Sequence, residues 1–101
     1  MSTALSNPQK RYLRGLAHDL KPVVMVGAKG ITANLVAELD SALEQHELVK
    51  VKVAADDRES RDAFIADLAA QATAELVSRI GHTAVLYRRS KDKPLVILPK
   101  A

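Results

Sequence analysis

The stretch LVKVKVA, residues 48–54, alternates too regularly to be anything but an extended strand. Val49, Val51 and Val53 must face one way and Lys50 and Lys52 the other, because side chains alternate along a strand with a period of two. A helix would scatter the same valines around its circumference. One face of the resulting sheet is therefore buried and the other at least partly wet. That argues for two layers with helices on one side only. The flanking segments change period. Leu35, Leu39, Ala42 and Leu43 before the strand, and Phe64, Ile65, Leu68, Ala69 and Ala72 after it, recur at helical spacing.

The remaining elements follow from punctuation. Pro8, just after Ser6 and Asn7, suits the first turn of a helix running to about residue 19 or 20. Its apolar face is Leu13, Leu16, Ala17 and Leu20. Lys21-Pro22 ends it, since the residue before proline avoids the helical region. Val23–Val26 is a continuous apolar run, which predicts a strand covered on both faces or lying inside the sheet. Thr32 is a good N-cap for a helix to about His46, with Glu38, Asp40, Glu44 and Glu47 as its acidic exterior. AADDRES is a loop with several candidate caps before a third helix that ends near Ala72. Residues 75–80 and 83–89 read as two strands joined by a tight turn at Gly81-His82. SKDKP is a polar loop, and LVILP adds a short final strand. The expected order is α-β-α-β-α-β-β in a single domain over residues 1–101. The early strands are parallel through right-handed helical crossovers, and the closing hairpin makes the sheet mixed.

Charge is modest in sum and uneven in place. The net charge is +3, yet residues 1–31 carry +4, residues 32–78 carry −6 and residues 79–101 carry +5. If the two basic ends lie together, the chain presents a surface for a polyanion. On the first helix Lys10, Arg11, Arg14, His18 and Lys21 share one 100° arc without an acid among them, whereas a merely solvated helix interleaves signs. The absence of cysteine excludes disulfides, thiolate zinc sites and thiol nucleophiles. No apolar run is long enough to cross a bilayer, and the N-terminus lacks an apolar signal core, so a cytoplasmic protein is expected.

The segment VVMVGAKGIT places a Gly-x-x-Gly turn between a strand and a helix. Glycine lets a ligand backbone approach, the helix turns its free N–H groups and positive dipole end towards the loop, and Lys29 adds a full charge. Such a turn suits a phosphate. It is neither a nucleoside-triphosphate loop nor a dinucleotide fingerprint. The residues offer no catalytic constellation. His18, His46 and His82 are scattered, Asp56, Asp57 and Glu59 read as a capping cluster, and no serine has a nucleophile context. No cofactor is expected. With only Tyr12, Phe64 and Tyr87 aromatic, and Phe64 in the core, the chain has little capacity to stack splayed bases. An RNA partner would be held by backbone and shape, through the first helix, the turn, and Arg88, Arg89, Lys91 and Lys93.

KRYLRGLAHDLKPVVMVGAKGIT, ALEQHELVKVKV, DDRES and IGHTAVLYRRS, in that order, resemble the YhbY family. That family is the bacterial single-domain form of the CRM (chloroplast RNA splicing and ribosome maturation) domain. The resemblance runs from about residue 9 to about residue 99. It implies a two-layer α/β fold similar to the C-terminal domain of translation initiation factor three. It also implies an RNA-binding protein associated with precursors of the large ribosomal subunit. The family's loop matches Gly27, Ala28, Lys29 and Gly30, and is compared to the backbone-clamping loop of KH domains. Its basic surface matches Lys10, Arg11, Arg14 and Arg88, and Arg89 adjoins them.

The resulting expectation is a non-catalytic, monomeric protein that binds ribosomal RNA backbone and assists assembly of the large subunit. Ribosomal proteins are a further partner class, and no membrane is involved. Two rivals stand beside it: a protein–protein adaptor that uses the acidic second helix on a basic partner, and a small-ligand phosphate binder that uses the same loop.

Overall fold

The computed structural model describes residues 5–27, 30–55 and 57–90. They form α1 (Asn7–Ala17), β1 (Val24–Val26), α2 (Ala33–His46), β2 (Leu48–Val53), α3 (Arg58–Ala72), β3 (Glu75–Ile80) and β4 (Thr83–Tyr87). The strands lie in the order β1-β2-β4-β3. β1 and β2 are parallel, while β4 pairs antiparallel with both β2 and β3. The element order and the mixed sheet are those expected. The predicted strand at LVILP lies outside the described residues.

Local signals account for the helix starts. Ser6 accepts the Gln9 N–H while the Gln9 side chain accepts the Ser6 N–H, a reciprocal cap at the start of α1. Thr32 caps α2 by accepting the Leu35 N–H at 3.1 Å. Asp57 caps α3 through the Ser60 N–H at 3.0 Å, and that bond holds its carboxyl below the usual range. Gly81, with φ of 59°, takes the left-handed conformation needed by the two-residue β3–β4 turn.

The main core lies between the sheet and the α2–α3 layer. Val24 and Val26, the β2 valines, and Ala84 and Leu86 meet Leu39, Leu43, Ile65 and Leu68. Here the two-layer arrangement holds. The expectation that all helices share one side does not extend to α1. Leu13 and Ala17 pack on the opposite face, against Leu48, Val77, Val85 and Tyr87. The cause is β4, whose sequence TAVLY is apolar in both parities. Ala84 and Leu86 need α2 and α3, whereas Val85 and Tyr87 need a second cover. α1 covers only the Leu48–Tyr87 end of that face. Among the described residues no element covers the end bearing Lys52, which is exposed.

Three further expectations are corrected. Among the described residues β1 is an edge strand rather than an interior one, and Met25 is 63% exposed although its neighbours Val24 and Val26 are buried. α1 stops at Ala17, short of residue 19. Leu16 and Leu20 are exposed, and Leu13 and Ala17 are the buried residues of the helix. Glu47 is no exterior acid. It is fully buried, caps α2 with φ of 63°, and accepts the Ser90 N–H on Oε2 at 2.6 Å.

Candidate nucleic-acid interface

β1 delivers the chain to Gly27, and the Gly30 N–H donates to the Gly27 carbonyl at 3.0 Å, closing the turn. The two glycines differ in why they are glycine. Gly30 has φ of 81°, and a Cβ there would sit 3.3 Å from Phe64 Cε1. The fold itself therefore demands glycine at this position. Gly27 has no positive φ and nothing within 4 Å of where its Cβ would lie. Ala28 and Lys29 lie outside the described residues. Beyond the turn, residues 32–34 are exposed at the start of α2, where the first amides of a helix lack intrahelical partners.

The two glycines separate structure from binding in one experiment. Gly30→Asp is expected to cost about 1–2 kcal/mol of stability, because it forces a side chain into a positive-φ position against Phe64. Gly27→Asp is expected to leave the melting temperature unchanged and to weaken RNA binding roughly fivefold to tenfold by placing a carboxylate where a phosphate would lie. Thermal melts and RNA titrations on both variants check this. Intact affinity in Gly27→Asp would remove the turn from the interface.

On α1, Arg11 and Arg14 are exposed and Lys10 is half-buried. Among the described residues none of the three takes part in an ion pair. Because α1 crosses the sheet on the side that carries the β2 lysines, its C-terminal turn overhangs Lys50, and Arg14 and Lys50 line the same cleft. Lys52 follows on the same face, in register with Met25 of β1, one pair before β1 runs out towards Gly27. The α1 cations, Lys50 and Lys52 thus belong to one side of the sheet, and the Gly-x-x-Gly turn lies beyond the end of β1, with Gly30 against Phe64 of the α2–α3 layer. Alternation had already separated Lys50 and Lys52 from the valines. What alternation lacked was the position of α1.

Arg88 does not join this surface. Its guanidinium turns to the α2–α3 side. There Nη1 donates to Asp40 Oδ1 at 2.5 Å and to the Ala72 carbonyl at 2.8 Å. Nη2 donates to the Asp40 carbonyl at 3.0 Å and to Glu44 Oε2 at 3.3 Å. Arg89, of opposite parity, is exposed and lies beside Tyr87. Tyr87 is buried and its hydroxyl pKa is raised, first by that burial and second by the Glu47 charge, with Arg89 opposing. It cannot stack on a base. Tyr12, 43% exposed on α1, can.

The same contacts thin the acidic face of α2. Asp40 and Glu44 hold Arg88, Ser90 Oγ donates to Glu44 Oε1 at 3.1 Å, and Glu47 is buried. Glu38 alone of the four stays exposed without a described ion pair. Among the described residues no helix is long and apolar enough to cross a membrane.

Residues 5–88 match the family model of the CRS1 / YhbY (CRM) domain. The chain is 49% identical over 90 residues to a Haemophilus influenzae protein named "RNA-binding protein", covering 89% of this chain and 91% of that one. It is 38% identical over 95 residues to the Bacillus subtilis protein named "Probable RNA-binding protein YqeI", covering 94% and 99% of the two chains. The solution structure of SAV1595 from Staphylococcus aureus superposes with a TM-score of 0.82 at 38% identity, over 94% of this chain and 99% of that one. The fold described above is therefore also that of a solved relative.

Proposed function

The chain belongs to the CRS1/YhbY (CRM) domain family, and on that premise we propose that it is a non-catalytic protein that binds ribosomal RNA backbone and assists assembly of the large ribosomal subunit. One observation carries the reading. Lys10, Arg11, Arg14, Lys50 and Lys52 have no described ion-pair partner, α1 and the two β2 lysines lie on one side of the sheet, and a glycine turn leading into an exposed helix N-terminus lies beyond the end of β1. Cations left without internal partners favour an external polyanion, and regularly spaced phosphates supply one. The names of the relatives support RNA as that polyanion. In this reading the turn and the α2 N-terminus cradle backbone, with Lys29 as the loop's charge. Arg89 reaches a neighbouring phosphate, and the protein acts in the cytoplasm as a monomer. Arg88 stays inside the fold.

Sedimentation of cell lysate at low and moderate salt tests it. The protein is expected with immature large-subunit particles at low salt and at the top of the gradient as salt rises, since phosphate contacts weaken with ionic strength. Presence only at the top of the gradient from growing cells, at low salt, would sink the ribosomal assignment.

A further inference from the structure

The open half of the sheet carries more than charge. Beneath the C-terminal turn of α1 lies a cleft of about 370 Å³, within the size range of sites that take small organic groups. Its floor is a strip of sheet. Val85 stands in register with Ser78 on one side and Lys50 on the other, and Thr83 lies in the next row with Ile80 and Lys52. Its walls are aliphatic: Ala17 from α1, Pro22 from the α1–β1 connection, and Ile80, which is 78% exposed. Its rim is basic, formed by Arg14 and Lys50 with His18. The Ser78 and Thr83 hydroxyls have no side-chain hydrogen bond to another described residue.

A phosphate gains nothing from aliphatic walls, and an apolar side chain gains nothing from two hydroxyls and a cationic rim. A nucleotide uses all three, with its base against the aliphatic side chains, its edge on the hydroxyls and its phosphate at Arg14 and Lys50. Bases inside a duplex cannot enter such a cleft, so its occupant must be unpaired. We propose that this cleft takes one unpaired nucleotide of the bound RNA, and that the protein thereby selects a bulged or single-stranded site within an otherwise backbone-held contact. The inference rests on the RNA-binding reading and gives it a source of selectivity that the small aromatic content does not suggest.

Three RNA hairpins test it with the full chain. The first carries one bulged nucleotide, each of the four bases in turn. The second has an abasic residue at the bulge, and the third is an uninterrupted stem. Titrations at low salt are expected to show at least one bulged base bound about tenfold tighter than the abasic bulge. The double variant Ile80→Ser, Thr83→Val is expected to abolish that difference while keeping wild-type affinity for the uninterrupted stem. Should the double variant fold poorly, Ile80→Ser alone suffices, because the side chain it removes is mostly exposed. A 4-thiouridine at the bulge is expected to crosslink to the Pro22 or Ile80–Thr83 peptides. Equal binding of base-bearing and abasic bulges, with RNA still bound, overturns the cleft and leaves the backbone reading standing. No binding of any hairpin at low salt overturns both.

Discussion

Arg88→Ala is expected to lower the melting temperature by roughly 10–15 °C while leaving the RNA affinity of the folded protein within about twofold. The guanidinium is 18% exposed and joins three elements. From the end of β4 it reaches Asp40 and Glu44 on α2 and the carbonyl of Ala72 at the end of α3. Asp40 is 59% exposed and Glu44 36%, so much of the ion pairing is screened and those carboxylates rehydrate when the arginine goes. The larger losses are the Ala72 and Asp40 main-chain acceptors and the packing of the side-chain stem. Together they suggest about 2–3 kcal/mol, and each kcal/mol moves the midpoint of a domain this size by about 4–8 °C. Arg88→Lys should recover only part, because a single ammonium cannot serve acceptors on two helices at once. An unchanged melting temperature combined with a tenfold loss of RNA affinity would return Arg88 to the interface.

Arg88 and Arg89 show what the sequence could and could not disclose. Both are basic, adjacent and near the chain's basic end, and charge alone treats them alike. Strand parity separates them. Arg88 continues the side of Ala84 and Leu86, which faces α2 and α3, and Arg89 continues the side of Val85 and Tyr87. That parity was readable as soon as β4 was recognised. The placement of α1 was half readable. TAVLY is apolar in both parities and therefore calls for two covers, but the stronger alternation of LVKVKVA suggested a sheet with one wet face. Both signals are true of different halves of the same face, and their boundary depends on how far α1 extends. β1 misled for the opposite reason. Four apolar residues in a row suggest burial on both sides, yet among the described residues this short strand lies at the sheet edge and Met25 is exposed. Glu47 was beyond reach, because a buried glutamate with positive φ at a helix end breaks local preference. Its partner Ser90 is 43 residues distant. The Gly-x-x-Gly turn was visible at once, but the separate reasons for its two glycines required the position of Phe64.

The charge reading makes its sharpest commitment on α1. Lys10→Gln, Arg11→Gln and Arg14→Gln combined are expected to weaken RNA binding about a hundredfold at low salt. They should also lower the slope of log affinity against log salt by roughly two to three, since each lost phosphate contact removes about 0.7–0.9. Stability should hold, because none of the three side chains has a described ion-pair partner and Arg11 and Arg14 are exposed. The slope is the discriminating quantity. A general loss of fold lowers affinity without removing a set number of counterions, and an adaptor function leaves the slope alone. Glu38→Gln supplies the opposite control. It neutralises the exposed α2 acid that does not hold Arg88, so an adaptor bound to a basic partner would weaken, whereas RNA affinity would stay level or rise slightly. Loss of affinity in the triple variant with an unchanged slope would show that α1 meets its partner by shape and packing. The phosphate contacts would then have to be sought at the β2 lysines and the glycine turn, where Lys50→Gln with Lys52→Gln becomes the variant whose slope must fall.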